Sequence, residues 1–232
     1  MNYSLILKFC SFGQISATFA YYQKLNNVLM FYLSCPAGLL SPRLQESRAK
    51  IASVSQPFLA DGSTLLVHGR TGAVLQALAA AAAKDLLVLV TRASGSGVRK
   101  ELEAAGVRVE EVEDLGVAAV MHRVDCVLLG AEGVVETGGV VSQLGSYTVA
   151  TVARALGKPT YVLAESFKFV REYPLGQEDL PREYLYHASE LSAPAPAPRV
   201  DYTPPALVSL LFTDLGILTP SAVSDELINL YL

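Results

Sequence analysis

Between residues 64 and 163, short apolar, β-branched runs alternate with helical ones, and this regularity constrains the fold most. The strand-like runs cover 64–67, 86–90, 107–109, 126–129 and 160–163, and the helical ones cover 72–84, 98–105, 115–122 and 146–156. Runs that are apolar throughout, without polar alternation, suit strands buried on both faces. Strand, helix and strand joined by short loops leave right-handed crossovers as the workable connection, so the segments stack as a parallel sheet. The expectation is an α/β fold: a Rossmann-like parallel sheet with helices on both faces. At 232 residues, 51% of them hydrophobic, the chain can bury such a core without staples.

The ends read differently. Residues 1–42 hold only Lys8 and Lys24 of the charged side chains yet eight aromatics, and form an atypical, irregular N-terminal segment. Their most apolar run, 28–33, is far short of the roughly 20 residues that cross a bilayer, and Ser and Gln break any secretory core. Ser41 and Pro42 then read as cap and first position of a helix over 43–60, with Leu44, Arg48, Ile51, Val54 or Ser55, and Phe58 at helical spacing. Asp61-Gly62 stops that helix, and 61–232 reads as one domain. After Leu163 a polar excursion through Tyr173-Pro174 and Leu180-Pro181 enters the alternating proline run 192–198, a stiff surface connector. A buried strand over 207–212 and a helix from Thr219-Pro220 to Leu230 close the chain.

Totals exclude several functions. A net charge of -4 and a pI near 5.4 give no cationic surface for nucleic acid. Cys10, Cys35 and Cys126 are odd in number, without Cys-x-x-Cys or histidines at zinc spacing, so neither a disulfide framework nor a metal is expected, and a reducing cytosol fits. No cofactor is expected either. Ala93-Ser-Gly-Ser-Gly97 lacks the third glycine of a dinucleotide loop because Lys100 stands there, and Gly157-Lys158-Pro159-Thr160 precedes a strand, as a helix C-cap does and a phosphate loop does not.

Two places carry polar chemistry. His68-Gly69-Arg70-Thr71-Gly72 lies between the first strand and a helix start, and Thr91-Arg92 ends the next strand. Together they offer an anion two guanidiniums and free amides. The competing reading pairs Arg70 and Arg92 with Glu132, Glu136 or Glu165. The second place is 130–147, with five glycines and the carboxylates Glu132 and Glu136 directly after a strand, where open parallel sheets keep their sites. The two carboxylates could act as a pair or satisfy backbone amides. Cys126, inside an apolar strand, reads as an inert core thiol, and His122 as a helix-end cap. No reaction is forced by the histidines at 68, 122 and 187.

Four blocks carry a resemblance: Gly130-Ala-Glu-Gly-Val-Val-Glu-Thr-Gly-Gly139, Lys158-Pro159, Ala164-Glu-Ser-Phe-Lys-Phe-Val170, and the run from Phe212-Thr-Asp-Leu-Gly to Ser224-Asp-Glu-Leu227. Over about 43–232 the chain resembles the alpha subunits of eukaryotic translation initiation factor 2B. The resemblance implies that 43–60 is the last helix of an N-terminal helical domain. It also implies a non-catalytic regulatory subunit of a guanine-nucleotide-exchange complex, bridging that complex as a homodimer. Its partners would be the beta, gamma, delta and epsilon subunits and the phosphorylated alpha subunit of initiation factor 2. The same fold serves methylthioribose-1-phosphate isomerases, whose cysteine and aspartate positions Gly69 and Glu132 occupy here, with Thr137 for asparagine and Ser142-Gln143 for Asn-Lys. The resemblance therefore implies a loss of turnover, with a weak sugar-phosphate isomerase or a sugar-phosphate-sensing pseudoenzyme as the alternative. Phe167, Phe169, Phe212, Leu227, Leu230 and Tyr231 are the expected anchors at subunit contacts.

Overall fold

The structure is a computed structural model that describes residues 37–185 and 198–231. Seven strands form one sheet: β1 (Thr64–His68), β2 (Leu87–Thr91), β3 (Arg108–Val112), β4 (Cys126–Gly130), β7 (Thr160–Leu163), β10 (Leu210–Thr213) and β11 (Gly216–Leu218). Their spatial order is β11-β10-β7-β4-β1-β2-β3, every pairing parallel except that of β10 with β11. The chain walks outward from β1 to β3 and then returns to build β4 on the other side of β1. The carboxyl ends of β1 and β4 thus flank the topological switch point, where open α/β sheets bind ligands.

The period-two geometry of strands sorts the core into two layers. Leu65, Val67, Val88, Val90, Leu128 and Phe212 face α1 (Ala37–Ser55), α2 (Gly72–Ala80) and α3 (Ser96–Ala104). Leu66, Leu89, Val127, Leu129, Val162 and Leu211 face the other way. They meet α4 (Val117–Val120), α5 (Ser146–Ala155) and α7 (Val223–Tyr231), the last following the four-residue α6 (Arg182–Leu185). The expected Rossmann-like sheet covered on both faces is what the chain forms.

A second sheet was not expected. β5 (Gly133–Val135), β6 (Val140–Gln143), β8 (Phe169–Val170) and β9 (Val200–Thr203) pair in the order β8-β5-β6-β9. Val134, Val140 and Phe169 turn toward α5, while Val135, Val141, Val170 and Tyr202 form a third apolar cluster with Leu180 and Tyr184. The stretch 130–147 is therefore a β-hairpin leading into α5, and not a glycine-lined loop. Pro42 also departs from expectation: it is the sixth residue of α1, which begins before Ser41 and stops at Ser55. Ile51 and Ala52 of α1 share a core cluster with Leu65 and Leu78, so this helix packs directly on the sheet domain. The atypical segment over 1–36, the proline run over 192–197 and His187 lie outside the described residues.

Candidate functional site

At the end of β1, His68 is 3% exposed, with Nδ1 2.8 Å from Thr91 Oγ1 and Nε2 2.9 Å from the carbonyl oxygen of Leu144. Desolvation lowers its pKa below 6.5, against the upward pull of the Leu144 carbonyl and of Asp114, whose Oδ1 is 4.0 Å from Nδ1. Gly69, at φ +83°, donates its N–H to Ser94 Oγ at 2.9 Å, and Ser94 Oγ is 2.9 Å from Thr91 Oγ1. Gln143 closes over this crossing, donating from Nε2 to the Ala93 carbonyl. Thr71 caps α2 by accepting from the Val74 N–H, and its methyl fills the space over Gly130, where a Cβ would stand 1.9 Å from Thr71 Cγ2. The switch point is thus packed with side chains of this chain.

The two arginines do not converge on one anion. Arg70 reaches Glu101 of α3 at 2.7 Å, and Arg92 reaches Glu113 beyond β3 at 2.6 Å, each pair exposed on a separate element. They are paired, though with neither Glu132, Glu136 nor Glu165. Glu132 instead meets Arg199 at 2.7 Å. Glu136 directly follows β5, its N–H donating to the Glu172 carbonyl at 3.1 Å. With a strand between them, Glu132 and Glu136 stand roughly 13 Å apart along the chain, so they do not form the carboxylate pair that their spacing suggested.

A buried charged group organises the neighbouring rim. Glu165, fully buried after β7, receives Arg48 Nε of α1 at 2.7 Å and Lys168 Nζ at 2.8 Å. Burial alone would push its pKa up. The Lys168 charge and the hydrogen bonds from Arg48 and Lys168 outweigh that and hold it below its usual value. Lys168 also donates to the Ala131 carbonyl at 2.7 Å, tying the end of β4 into the cluster. Gly72 leaves room for this guanidinium: a Cβ there would lie 2.2 Å from Arg48 Cζ, and the arginine would have to move aside. Asp201 of β9 was missed altogether. Its Oδ2 accepts the Gly145 and Tyr147 N–H groups at 2.7 and 3.1 Å, capping α5 from another strand, while Oδ1 is buried without a partner. Desolvation pushes this carboxyl up to about 6 against those backbone hydrogen bonds. Only the fold makes Asp201 a cap, because it lies 54 residues or more from the amides it serves.

Three interface anchors need correction. Phe169, Phe212 and Leu227 are 4%, 1% and 1% exposed and belong to the chain's own core, because period-two strands and the inner stripe of α7 turn them inward. Phe212 stacks edge-on against Phe58 and Tyr161 at 4.9 and 5.4 Å. Phe167 and Leu230 are half-buried, and Tyr231 ends α7. The bland readings of single residues hold. His122 Nδ1 is 2.8 Å from the Ala119 carbonyl, burial pushes the Cys126 thiol up to about 12, and Gly157 takes the φ +68° expected past a helix end. Among the described residues, no group of three His, Cys, Asp or Glu is placed to hold a metal, and no helix is long and apolar enough to cross a membrane.

A doubly wound sheet with a hairpin-backed, internally paired rim defines a Rossmann-like α/β protein whose polar groups hold one another. The chain belongs to the Initiation factor 2 subunit family, whose model matches residues 36–220. It is 45% identical over 212 residues to translation initiation factor eIF2B subunit alpha of Dictyostelium discoideum, covering 83% of this chain and 66% of that protein. With the Caenorhabditis elegans eIF2B subunit alpha it shares 40% over 195 residues, 80% of this chain and 64% of the relative. The chain thus spans just under two thirds of the length of these relatives. Methylthioribose-1-phosphate isomerase of Parasynechococcus marenigrum is more distant, at 32% over 188 residues, 70% of this chain and 56% of the isomerase. Among solved structures, the tetrameric eIF2B-beta2-delta2 complex from C. thermophilum matches at TM-score 0.67 and 26% identity, over 84% of this chain and 62% of that one.

Proposed function

We propose that this chain is a non-catalytic regulatory subunit of the guanine-nucleotide-exchange complex acting on initiation factor 2. It joins a second copy of itself and the beta, gamma, delta and epsilon subunits in the cytosol, and helps couple exchange to phosphorylation of the substrate's alpha subunit. The carrying observation is the 45% identity over 212 residues to an eIF2B alpha subunit. The rim supports it: Arg70, Arg92, Glu132 and Glu165 each neutralise a neighbour, and a carboxylate spent on a guanidinium is a poor proton shuttle. On this reading His68 to Gly72, Thr91, Arg92, Glu132 and Glu136 shape a rim for holding neighbours without turnover. Co-expression with the beta and delta subunits, followed by size exclusion with light scattering, tests the assignment. Co-elution in a complex larger than a dimer is expected. A strict monomer that leaves both partners behind, or aldose-to-ketose turnover that vanishes in Glu132→Gln, would overturn it.

A further inference from the structure

His68 sits in the middle of a chain of buried polar groups whose direction the donor and acceptor chemistry dictates. At one end the Leu144 carbonyl can only accept, so Nε2 must carry a hydrogen. In the neutral ring Nδ1 is then an acceptor, and Thr91 Oγ1 donates to it. Thr91 Oγ1 in turn receives the Ser94 hydroxyl hydrogen, and Ser94 Oγ receives the Gly69 N–H. Beyond Leu144 the same peptide group continues the line, because the Gly145 N–H donates to Asp201 Oδ2. Every donor points the same way, from Gly69 at the end of β1 to the carboxylate on β9 in the other sheet, and such aligned bonds reinforce one another.

We propose that His68 is a proton-operated latch: neutral, it locks the Gly69–Ser94 crossing to the Leu144–Gly145 corner of α5, and protonated, it reverses the hydroxyls and loosens the crossing. A proton on Nδ1 turns that atom into a donor, so Thr91 must pass its own hydrogen to Ser94. Ser94 Oγ then receives both Thr91 and Gly69, and its own hydrogen, which pointed at Thr91, must turn away from the line. Ser94 is 5% exposed, so water does not readily take over, and the turn Arg92–Ser94 must shift. The charged groups facing the ring are Asp114 after β3 and, across the Gly145 N–H, Asp201 of β9. Arg70 and Arg92, nearest along β1 and β2, are turned to Glu101 and Glu113. Burial favours the neutral ring, so the latch is closed at neutral pH and opens on acidification.

The test is NMR on the full chain labelled with 15N-histidine and 15N-glycine, between pH 4.5 and 8. At pH 7.5 His68 should be the neutral Nε2–H tautomer. As it titrates, Gly69 amide exchange, corrected for the intrinsic pH dependence, should accelerate about tenfold or more with the same midpoint. Thr91→Val, which removes the connecting hydroxyl, should leave His68 titrating but uncouple Gly69 from it. Asp201→Asn should leave the coupling intact. An Nδ1–H tautomer, a His68 that does not titrate above pH 4.5, or Gly69 protection flat through the midpoint would each overturn the latch in the wild-type chain alone. So would coupling that survives Thr91→Val or vanishes in Asp201→Asn. None of these results bears on whether the chain joins an exchange complex, which co-purification decides.

Discussion

Glu165 shows how one buried carboxylate can set the behaviour of a rim. Removing its charge leaves Arg48 and Lys168 facing each other without a counter-ion, at 30% and 13% side-chain exposure. Breaking a buried ion pair from one side costs far more than the pair contributes against an apolar substitute, because a charge is left stranded. Glu165→Gln should therefore lower stability by about 3 kcal/mol, read as a shift of the urea midpoint at unchanged slope. Asp201 behaves in the opposite sense. Its folded pKa is raised from 3.8 to about 6, so the folded state holds its proton more tightly and stability falls as pH rises through that window. The shift amounts to on the order of 3 kcal/mol. Asp201→Asn keeps an oxygen for the Gly145 and Tyr147 amides, so the stability difference between wild type and variant should change by about that amount between pH 3.5 and 7. His68 opposes this: with its pKa lowered from 6.5, its contribution is complete above 6.5 and is lost as pH falls toward the folded value.

Among the elements, the β5–β6 hairpin carries the most information that its sequence concealed. Gly138 turns it at φ +80°, and a Cβ there would lie 2.1 Å from the Pro220 carbonyl oxygen, so the hairpin tip rests on the backbone that leads into α7. Gly138→Ala should cost more than about 2 kcal/mol, combining a left-handed strain with a backbone overlap. Gly157→Ala, at φ +68° with open space around it, should cost only about 1 kcal/mol. Thermal melts of the two variants side by side separate overlap from strain, and equal losses would mean that the tip is not seated on Pro220. The strands β1, β2, β4 and β7 were legible because each is a continuous apolar run bounded by turn residues. Strands β5 and β6 were not, since Val134 and Val135 face different apolar clusters and leave no polar alternation among the glycines. β9 was hidden beside the prolines, and the start of α1 was misread because proline usually opens a helix. At the site, the histidine and the two arginines could be placed at strand ends from sequence. The arginines' partners Glu101 and Glu113, and Arg199 for Glu132, could not, being set by which helix, which neighbouring strand end and which second sheet border the rim.

For the molecule as a whole, the order of the seven-stranded sheet decides which probe reports global opening. β4 is the fourth strand of seven, paired on one side with β1 and on the other with β7, and Cys126 starts it at 4% exposure. That is the amino end of the strand, while His68 and Gly69 lie at the carboxyl rim, so this thiol is remote from the candidate site. Burial, aided by Asp125, pushes the thiol up to about 12, and a thiol that stays protonated is a poor nucleophile. Exposing it requires parting β4 from both neighbours, which breaks the layers on either face together. Labelling of Cys126 by a thiol reagent at pH 8 should then run at least ~1000-fold below the rate of an unfolded peptide, in step with the global unfolding constant. Peptide mapping separates it from Cys10 and Cys35, and titrating urea below the unfolding midpoint should raise the Cys126 rate with the full equilibrium slope. A shallow slope would mean instead that β4 frays locally at its amino end while the rest of the sheet stays closed.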